Sequence, residues 1–468
     1  MKINKIRKEI YILIHRMTNI GLDPYKSTNT STMTGGNKDD EIEKIRKSIT
    51  VRGLSGLRNL GNTCYMNAGL QCLFATNMLT SWFIDKKFVD KLKNSVINKL
   101  AREERKKQKI DENADIEIDK VAIIHAIKNT VSYAFYKTVK AWLSDNNVIE
   151  PEMFKQTIGK HNSLFKGTAQ NDSQELINCV LDNIHEDLKC EVQVNYVNVP
   201  ESVLNFRTTV KQYGKLMKNP DLTDDTKANL LNRYRKYLDD HMYEMTTNAA
   251  LEYWEKFIRP QHSVIRDIFT GLTYTETKCS ACQITSLSFE PFIMLTIAIP
   301  KSYSTVSLVD CLKKYSSQYA LANEDKYQCL HCKDYKDATQ ITYIWEVPEI
   351  LIIHLKRFTN EIVYNNYCRT EKNSTKIDFP LDNLDLSDYI SPHNKKEAKY
   401  ELYGVVQQHG TLSGGHYTAC CKNAINNNWY EFNDSNVTYI EPNKVESEVV
   451  SSSAYILFYK KLYTNIEL

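Results

Sequence analysis

The stretch Gly56–Gln71, which reads GLRNLGNTCYMNAGLQ, decides how this chain of 468 residues folds. An uncharged loop, NLGNT, leads into a run in which apolar residues recur at spacings of three and four, as on one face of a helix. Cys64 therefore stands at the predicted start of a helix, where unpaired backbone N–H groups and the helix dipole stabilise a thiolate. This setting makes Cys64 a candidate nucleophile, although a buried structural cysteine is the commoner role for an intracellular thiol.

A candidate base lies far along the chain. His416 follows Gly414 and Gly415 and opens a strand-like run, Tyr417 to Cys421. A strand holds an imidazole on rigid backbone, and the glycines leave an open approach to it. General base catalysis needs that placement, so an ordinary structural histidine is the weaker interpretation here.

The next strand-like run offers a partner for this histidine. It spans Trp429 to Phe432 and ends at Asn433 and Asp434. If the two runs form a hairpin, one of these side chains lies beside His416 and can accept its N–H group. The result is the Cys-His-Asn arrangement of papain-like proteases.

Four cysteines form a second constellation. They occur as two C-x-x-C pairs with 46 residues between them, namely Cys279, Cys282, Cys329 and Cys332. Each pair lies between strand-like runs, which suits two hairpin knuckles that present four thiolates tetrahedrally to Zn²⁺. The spacer is longer than in a compact zinc ribbon, so four unrelated buried thiols remain an alternative.

Composition excludes several classes of protein. With 42% apolar and 25% charged residues the chain is neither wholly disordered, collagenous nor a polytopic membrane protein. Its 60 Lys and Arg residues balance 57 Asp and Glu residues, so we expect no binding of nucleic acid through a general basic field. The longest early apolar run, Ile10 to Ile14, is too short for a signal peptide or a membrane span. We therefore expect a reducing compartment, the cytoplasm or the nucleus.

Helical patterns come first and strand-like patterns later. The helical patterns run from Val121 to Leu143 and from Gln174 to Leu188, and a polar helical excursion spans Lys211 to Asp240. From Gly271 onward short β-branched runs dominate. This order predicts an α+β fold with segregated layers.

Five blocks of the sequence resemble those of the ubiquitin-specific protease family. Besides GLRNLGNTCYMNAGLQ they are QNDSQELINCVLDNIHEDL, FTGLTYTETKCSACQITSLSFEPF, PEILIIHLKRF and GTLSGGHYTA, and they occur in the family's order. The resemblance covers roughly residues 53–461. It implies a papain-like fold with a thumb (about 56–267), zinc-bearing fingers (about 268–345) and a palm (about 346–461). A polar segment, 1–52, which we expect to be poorly ordered, and a tail, 462–468, would flank this domain.

The resemblance also implies roles for single residues. It makes Cys64 the nucleophile, His416 the base and Asn433 the third catalytic residue, with Asp434 as a possible second support. It assigns Asn59 to the oxyanion hole, where a donor must face the charge that develops on the tetrahedral intermediate. The implied reaction is hydrolysis of the bond after the C-terminal glycine of ubiquitin, through a thioester acyl-enzyme.

The same resemblance implies how substrate and metal are held. Gly414, Gly415 and Tyr417 would lie beside the tail of ubiquitin, and the four cysteines would hold a structural zinc ion. Asp172 and Glu175, three apart at a helix start, either contact the tail's two arginines or cap the helix. Asn171 and Leu176 depart from the family pattern, so packing around this block is expected to differ.

Three other interpretations remain open. An inactive ubiquitin-binding scaffold of the same fold usually lacks a catalytic residue, and none is missing here. A zinc-ribbon interaction module would leave Asn59, the glycines before His416 and the Asn433–Asp434 pair unexplained. A ubiquitin-like modifier in place of ubiquitin is the more serious alternative for the substrate.

Overall fold

The structure is a computed structural model that describes residues 51–463 apart from 112–113, 145, 197, 303–304, 364–366 and 412–413; the side chains of residues 360–369 are likewise not described. The segment 1–52, apart from its last two residues, and most of the tail 462–468 lie outside the described residues, so their expected disorder is not tested. Within the described part, no helix combines the length and the apolar character needed to cross a membrane.

The first half of the described chain is helical. Its helices are α1 (Cys64–Phe74), α2 (Asn77–Ile84), α3 (Lys87–Gln108), α4 (Lys120–Lys128), α5 (Val131–Trp142), α6 (Glu152–His161), α7 (Ser173–Leu188), α8 (Glu201–Met217), α9 (Asp224–Asp240), α10 (Met242–Ile258) and α11 (Val264–Phe269). Two more helices occur among the later strands, α12 (Leu308–Tyr315) and α13 (Val445–Val449). Every residue of α1 is buried, which makes it the centre of the helical layer.

The second half is dominated by strands. They are β1 (Gly271–Cys279), β2 (Thr285–Phe292), β3 (Met294–Ala298), β4 (Val306–Ser307), β5 (Tyr319–Leu321), β6 (Tyr327–Cys329), β7 (Asp334–Lys336), β8 (Ala338–Glu346), β9 (Ile350–Lys356), β10 (Phe358–Val363), β11 (Tyr367–Lys372), β12 (Ile377–Asp378), β13 (Leu384–Asp385), β14 (Lys399–His409), β15 (His416–Lys422), β16 (Trp429–Asn433), β17 (Asn436–Tyr439) and β18 (Ala454–Leu462). The predicted α+β fold with segregated layers is confirmed.

The central sheet has the spatial order β17-β16-β15-β14-β18-β9-β3, and β13 pairs with β14. Neighbouring strands are antiparallel except for β3 and β9. One face packs on α1 and its neighbouring helices through Tyr417, Ala419 and Cys421. The other face carries a second cluster that contains Cys420 and Trp429. The sheet is therefore buried on both sides, and alternate residues of β15 belong to different cores.

A smaller sheet, β2-β1-β8-β5, projects from this body and ends in the cysteine knuckles, next to the β6–β7 hairpin. Its Tyr274, Phe289 and Trp345 form a third core cluster together with Ala250 of α10. Helix α10 thus packs against the smaller sheet.

Two predictions of element length need correction. The helical pattern Val121–Leu143 is two helices, because Thr130 accepts a hydrogen bond from the backbone N–H of Tyr133 and caps α5. The excursion is longer than Lys211–Asp240 and includes α8, α9 and α10. Its middle helix α9 has no buried residue, and α10 lies wholly outside the predicted bounds.

Candidate active site

Helix α1 begins at Cys64, as predicted, and lies against β15 within the first core. Close approach of the neighbouring elements depends on small residues. A Cβ atom on Gly69 would lie 3.0 Å from Ser173 Oγ, at the start of α7, and one on Gly404 would lie 3.4 Å from Cys72 Sγ. Because both residues are glycines, helix α1, which carries the candidate nucleophile, packs closely against α7 and the sheet.

The loop before Cys64 is organised by one asparagine side chain. Asn59 Oδ1 accepts hydrogen bonds from the backbone N–H groups of Gly61 (3.0 Å) and Thr63 (3.1 Å). Gly61 and Asn62 both have left-handed backbone conformations, which glycine and asparagine adopt most readily. Asn59 Nδ2 donates to Asp434 Oδ2 at 2.9 Å, which leaves one N–H of the amide for the predicted oxyanion role.

The pKa of the Cys64 thiol is raised, contrary to the expectation from its helix position. Burial raises its pKa above the ordinary value, and the charge of Asp434 adds to this effect. The backbone N–H groups of Tyr417, Tyr65 and Cys64 itself act in the opposite direction, but burial outweighs them. Cys64 therefore needs a base that removes its proton.

His416 has the partner that such a base needs. Its Nε2 atom lies 2.8 Å from Asn433 Oδ1. An amide oxygen only accepts hydrogen bonds, so Nε2 carries the proton, and Nδ1 of the neutral ring is left as the basic nitrogen. The predicted hairpin is confirmed, since β15 and β16 pair with Ala419 opposite Phe432. The backbone N–H of Tyr417, the next residue, acts on the Cys64 sulfur, which places the strand start beside the thiol.

The carboxylate of Asp434 bonds two asparagine side chains, and its predicted support of the imidazole stays a prediction. This carboxylate accepts hydrogen bonds from Asn59 Nδ2 (2.9 Å) and Asn67 Nδ2 (2.7 Å). The tight turn after β16 directs Asn433 and Asp434 to different partners, and Asp434 has a left-handed φ of 50°. The carboxylate therefore joins the Cys64 loop and helix α1 to the hairpin that carries the base.

The three residues predicted to lie beside the tail differ in environment. A Cβ atom on Gly415 would lie 2.3 Å from Gln408 Nε2, so its own loop already requires glycine at this position, and a contact with the tail stays a prediction. Gly414 is exposed and remains available to a ligand. The side chain of Tyr417 is buried in the first core, because β15 turns it toward α1, and only its backbone N–H group reaches the site.

The two acidic residues at the start of α7 differ in environment. Asp172 is the N-cap: its Oδ1 accepts from the backbone N–H of Gln174 at 2.7 Å, and Oδ2 accepts from the Tyr455 hydroxyl. Burial raises the pKa of the Asp172 carboxyl. Glu175 is exposed. Capping is thus the visible role of Asp172, and Glu175 is free to meet a ligand.

Three contributors were missed by sequence analysis. Asn67 bonds Asp434, Gln170 Oε1 accepts from the backbone N–H of Gly415 at 3.0 Å, and Lys372 Nζ donates to the carbonyl groups of Gln408 (2.8 Å) and Gly410 (3.0 Å). Asn67 lies three residues after Cys64 and so on a neighbouring helix position, which was an available signal. Nothing in the sequence indicates the other two contacts, because they join distant segments.

The four cysteines predicted as ligands come together at the tip of the smaller sheet. Their sulfur atoms all lie within 4.8 Å of one another. The Cys279–Cys332 and Cys282–Cys329 sulfur separations are 4.0 and 3.6 Å. Gln283 and Lys333, which follow the two pairs at equivalent positions, both have positive φ, so the two knuckles match. This cluster can hold a metal ion.

The chain was compared with known proteins. Residues 55–459 match the family model described as ubiquitin carboxyl-terminal hydrolase. Human ubiquitin carboxyl-terminal hydrolase 2 is 31% identical over 415 residues, which cover 88% of this chain and 56% of the relative. Probable ubiquitin carboxyl-terminal hydrolase R319 of Acanthamoeba polyphaga mimivirus is 27% identical over 465 residues, 92% of this chain and 96% of the relative. The chain thus spans only about half the length of some of its curated relatives.

A solved structure shares the fold. The SAGA Ubp8/Sgf11/Sus1/Sgf73 DUB module bound to ubiquitin aldehyde matches with a TM-score of 0.53 and 22% identity, over 92% of this chain and 76% of that chain. At this identity the likeness concerns the fold alone. Together with the helical layer and the central sheet described above, it establishes a papain-like fold.

The raised pKa of Cys64 predicts how this thiol responds to pH. Because burial disfavours the thiolate, alkylation of Cys64 by iodoacetamide should still accelerate above pH 8.5, roughly the pKa of a free thiol. Mass spectrometry of the Cys64 peptide after timed labelling at pH 6–10 measures this, with N-acetylcysteine as the reference thiol and circular dichroism as the control for folding. A rate that is already maximal at pH 6–7 would indicate a pre-formed thiolate and contradict the prediction.

Proposed function

The chain belongs to the ubiquitin carboxyl-terminal hydrolase family, and on that premise we propose that it is a cysteine protease that releases ubiquitin from proteins. The reaction would be hydrolysis of the isopeptide or peptide bond after the C-terminal glycine of ubiquitin. The observation that carries this proposal is the hydrogen bond between His416 and Asn433, formed where the strand start meets the Cys64 thiol. An inactive scaffold of the same fold would have no need for this pair.

The first step is attack by Cys64. Nδ1 of His416 accepts the thiol proton while Asn433 holds the proton on Nε2 and stabilises the imidazolium that forms. As this proton leaves, the sulfur adds to the carbonyl carbon of the last glycine of ubiquitin. Burial raises the pKa of the thiol, so the free enzyme depends on His416 to remove the proton.

The negative charge that develops on the carbonyl oxygen needs donors. The remaining N–H of the Asn59 amide and the backbone N–H groups at the start of α1 are the available ones. The imidazolium then gives its proton to the leaving amine, and a thioester remains on Cys64. Water, activated by the same histidine, hydrolyses the thioester and frees the carboxyl group of ubiquitin.

Recognition of the ubiquitin tail is proposed to use Glu175 and Gly414. Both are exposed, and Gln170, just before α7, contacts the histidine loop by accepting a hydrogen bond from the backbone N–H of Gly415. The tail carries two arginines, and an exposed carboxylate can bind a guanidinium group in bidentate fashion. Asp172 would act indirectly, by fixing the start of α7.

The cysteine cluster is proposed to hold a structural zinc ion. In a tetrahedral Zn²⁺ site with Zn–S bonds of about 2.3 Å, the sulfur atoms lie about 3.8 Å apart, and the two separations of 3.6 and 4.0 Å bracket this value. The backbone N–H of Cys282 lowers the pKa of the Cys279 thiol to about 7, whereas the pKa values of Cys282 and Cys332 are raised, so the geometry of the cluster and not its pKa values supports the metal site. Four thiolates close the coordination sphere, so the ion would hold the two knuckles together and leave no position for a substrate.

The proposed compartment is the cytoplasm or the nucleus. A nucleophilic thiol and a four-thiolate site both require reduced cysteines, and the described cysteines are all free.

Cys64→Ala should abolish release of a fluorophore from the C-terminus of ubiquitin, because no other group replaces the nucleophile. Cys190→Ala, which removes an exposed thiol elsewhere, serves as the matched control and should retain wild-type turnover. The same assay with ubiquitin-like modifiers tests the alternative substrate. Turnover by folded Cys64→Ala protein, or activity only on a ubiquitin-like modifier, would overturn the proposal.

Asn433→Ala should reduce kcat roughly 10- to 100-fold with little change in KM, because the imidazole loses the group that fixes its tautomer. Asp434→Ala should reduce kcat less but lower the melting temperature more, since two hydrogen bonds to a charged group disappear. Steady-state kinetics and thermal unfolding of both variants measure the two effects. The reverse order of kcat values would transfer the third catalytic role to Asp434.

One zinc ion per chain is expected in purified active protein, measured by plasma mass spectrometry. Cys282→Ser should lose this zinc and lower the melting temperature, since structural metal binding contributes to folding stability. Cys311→Ser, a buried cysteine outside the cluster, is the control and should keep the zinc. Active protein without stoichiometric zinc would refute the assignment.

A further inference from the structure

A cavity of about 440 Å³ lies on the central sheet next to the catalytic histidine, and the steps described above do not use it. Four adjacent strands and the segment around α13 form its walls. The lining includes, in chain order, Gln407, His409, Cys420, Glu431, Thr438 and Glu448. It lies on the face of the sheet opposite to the one that packs on α1.

Strand pairing places this cavity beside His416. His409, which lines it, is the Cα partner of His416 across β14 and β15. Side chains of directly paired residues have Cβ atoms about 4.5–5.5 Å apart, on one face of the sheet. Consistent with this proximity, burial, Lys372 and the charge of His416 together lower the pKa of His409. The cavity thus begins one strand away from the catalytic base, at His409.

The cavity is electronegative. Glu431, Glu441 and Glu448 line it, against a single lysine, Lys444. Among the described residues, no ion pair neutralises these three carboxylates. These carboxylates also act on Cys420, which lines the cavity. Burial raises the pKa of the Cys420 thiol, and the negative charges around it, including those of Glu431 and Glu448, raise it further. A cationic ligand would find three unpaired carboxylates here.

The chemistry of the reaction indicates which part of the substrate lies at this cavity. His416 must give its proton to the leaving amine, so the polypeptide that carries this amine has to sit next to His416. Neither of the residues proposed to hold the tail of ubiquitin, Glu175 and Gly414, lines the cavity. A cavity beside His416 that the tail does not use is therefore positioned for the leaving group.

We propose that this cavity is the leaving-group subsite and that it receives lysine or arginine residues flanking the modified lysine of the substrate protein. The inference rests on the proposed function, since it names which conjugates that function prefers. The carboxylates of Glu431 and Glu448 bind the cationic side chain. Neutral and acidic flanks lack this attraction.

The test compares three substrates of the full chain at low ionic strength. Two are ubiquitin joined by an isopeptide bond to the central lysine of a short peptide, flanked either by arginines or by serines. The third is ubiquitin with a small C-terminal fluorophore, which cannot reach the cavity. We expect kcat/KM for the arginine-flanked conjugate to exceed that for the serine-flanked one roughly fivefold or more, and 0.5 M salt to remove most of the difference.

Two variants test whether the carboxylates of the cavity cause the preference for the arginine-flanked conjugate. The double variant Glu431→Gln with Glu448→Gln should bring the two conjugates to within about twofold while fluorophore release stays at the wild-type rate. Glu446→Gln, on the same helix as Glu448 but outside the cavity lining, is the matched control and should keep the preference.

The outcomes separate the two proposals. Equal rates for both conjugates in the wild type, or a preference that survives in the double variant, would overturn the subsite while fluorophore release still supports the proposed function. Absence of activity on all three ubiquitin substrates would instead overturn the proposed function itself, and the subsite with it.

Discussion

The carboxylate of Asp434 accepts hydrogen bonds from Asn59 and Asn67, which lie 375 and 367 positions earlier in the chain. Asn59 orders the loop before the nucleophile, and Asn67 is one turn into the helix that carries it. Asp434 itself follows the hairpin residue that holds His416. One charged group thus fixes the two halves of the site relative to each other, and charge-assisted hydrogen bonds are the stronger kind in proteins. The geometry of catalysis depends on this junction.

The junction explains why the thiol can be both buried and reactive. Seating α1 deeply against β15 removes water from Cys64 and raises its pKa. The negative charge of Asp434 adds to the rise. Reactivity then depends on His416, whose Nδ1 is available because Nε2 is committed to Asn433. A protected thiol that ionises only when a base and a substrate are in place is also less exposed to unwanted oxidation.

The sequence was sufficient for those parts of the site that short motifs encode. The start of α1 at Cys64, the pairing of His416 with Asn433 and the meeting of four cysteines were predicted correctly, since local spacing and hairpin formation determine them. The contacts of Asp434, the buried orientation of Tyr417 and the contact between Gln170 and Gly415 were not, because each depends on how distant segments pack. The expectation of a stabilised Cys64 thiolate was wrong for the same reason. The position of a residue in a helix is a local property, whereas its burial depends on the whole fold.

The central claim is that Cys64, brought to His416 by this junction, attacks the C-terminus of ubiquitin. Its most direct test is to incubate the protein with ubiquitin that carries a C-terminal electrophile and to map the modified residue by peptide mass spectrometry. The account predicts one adduct per chain, on Cys64, formed fastest with ubiquitin and slowed when His416 is replaced by alanine. An adduct on another cysteine, such as the exposed Cys190, or no adduct with folded protein, would contradict it.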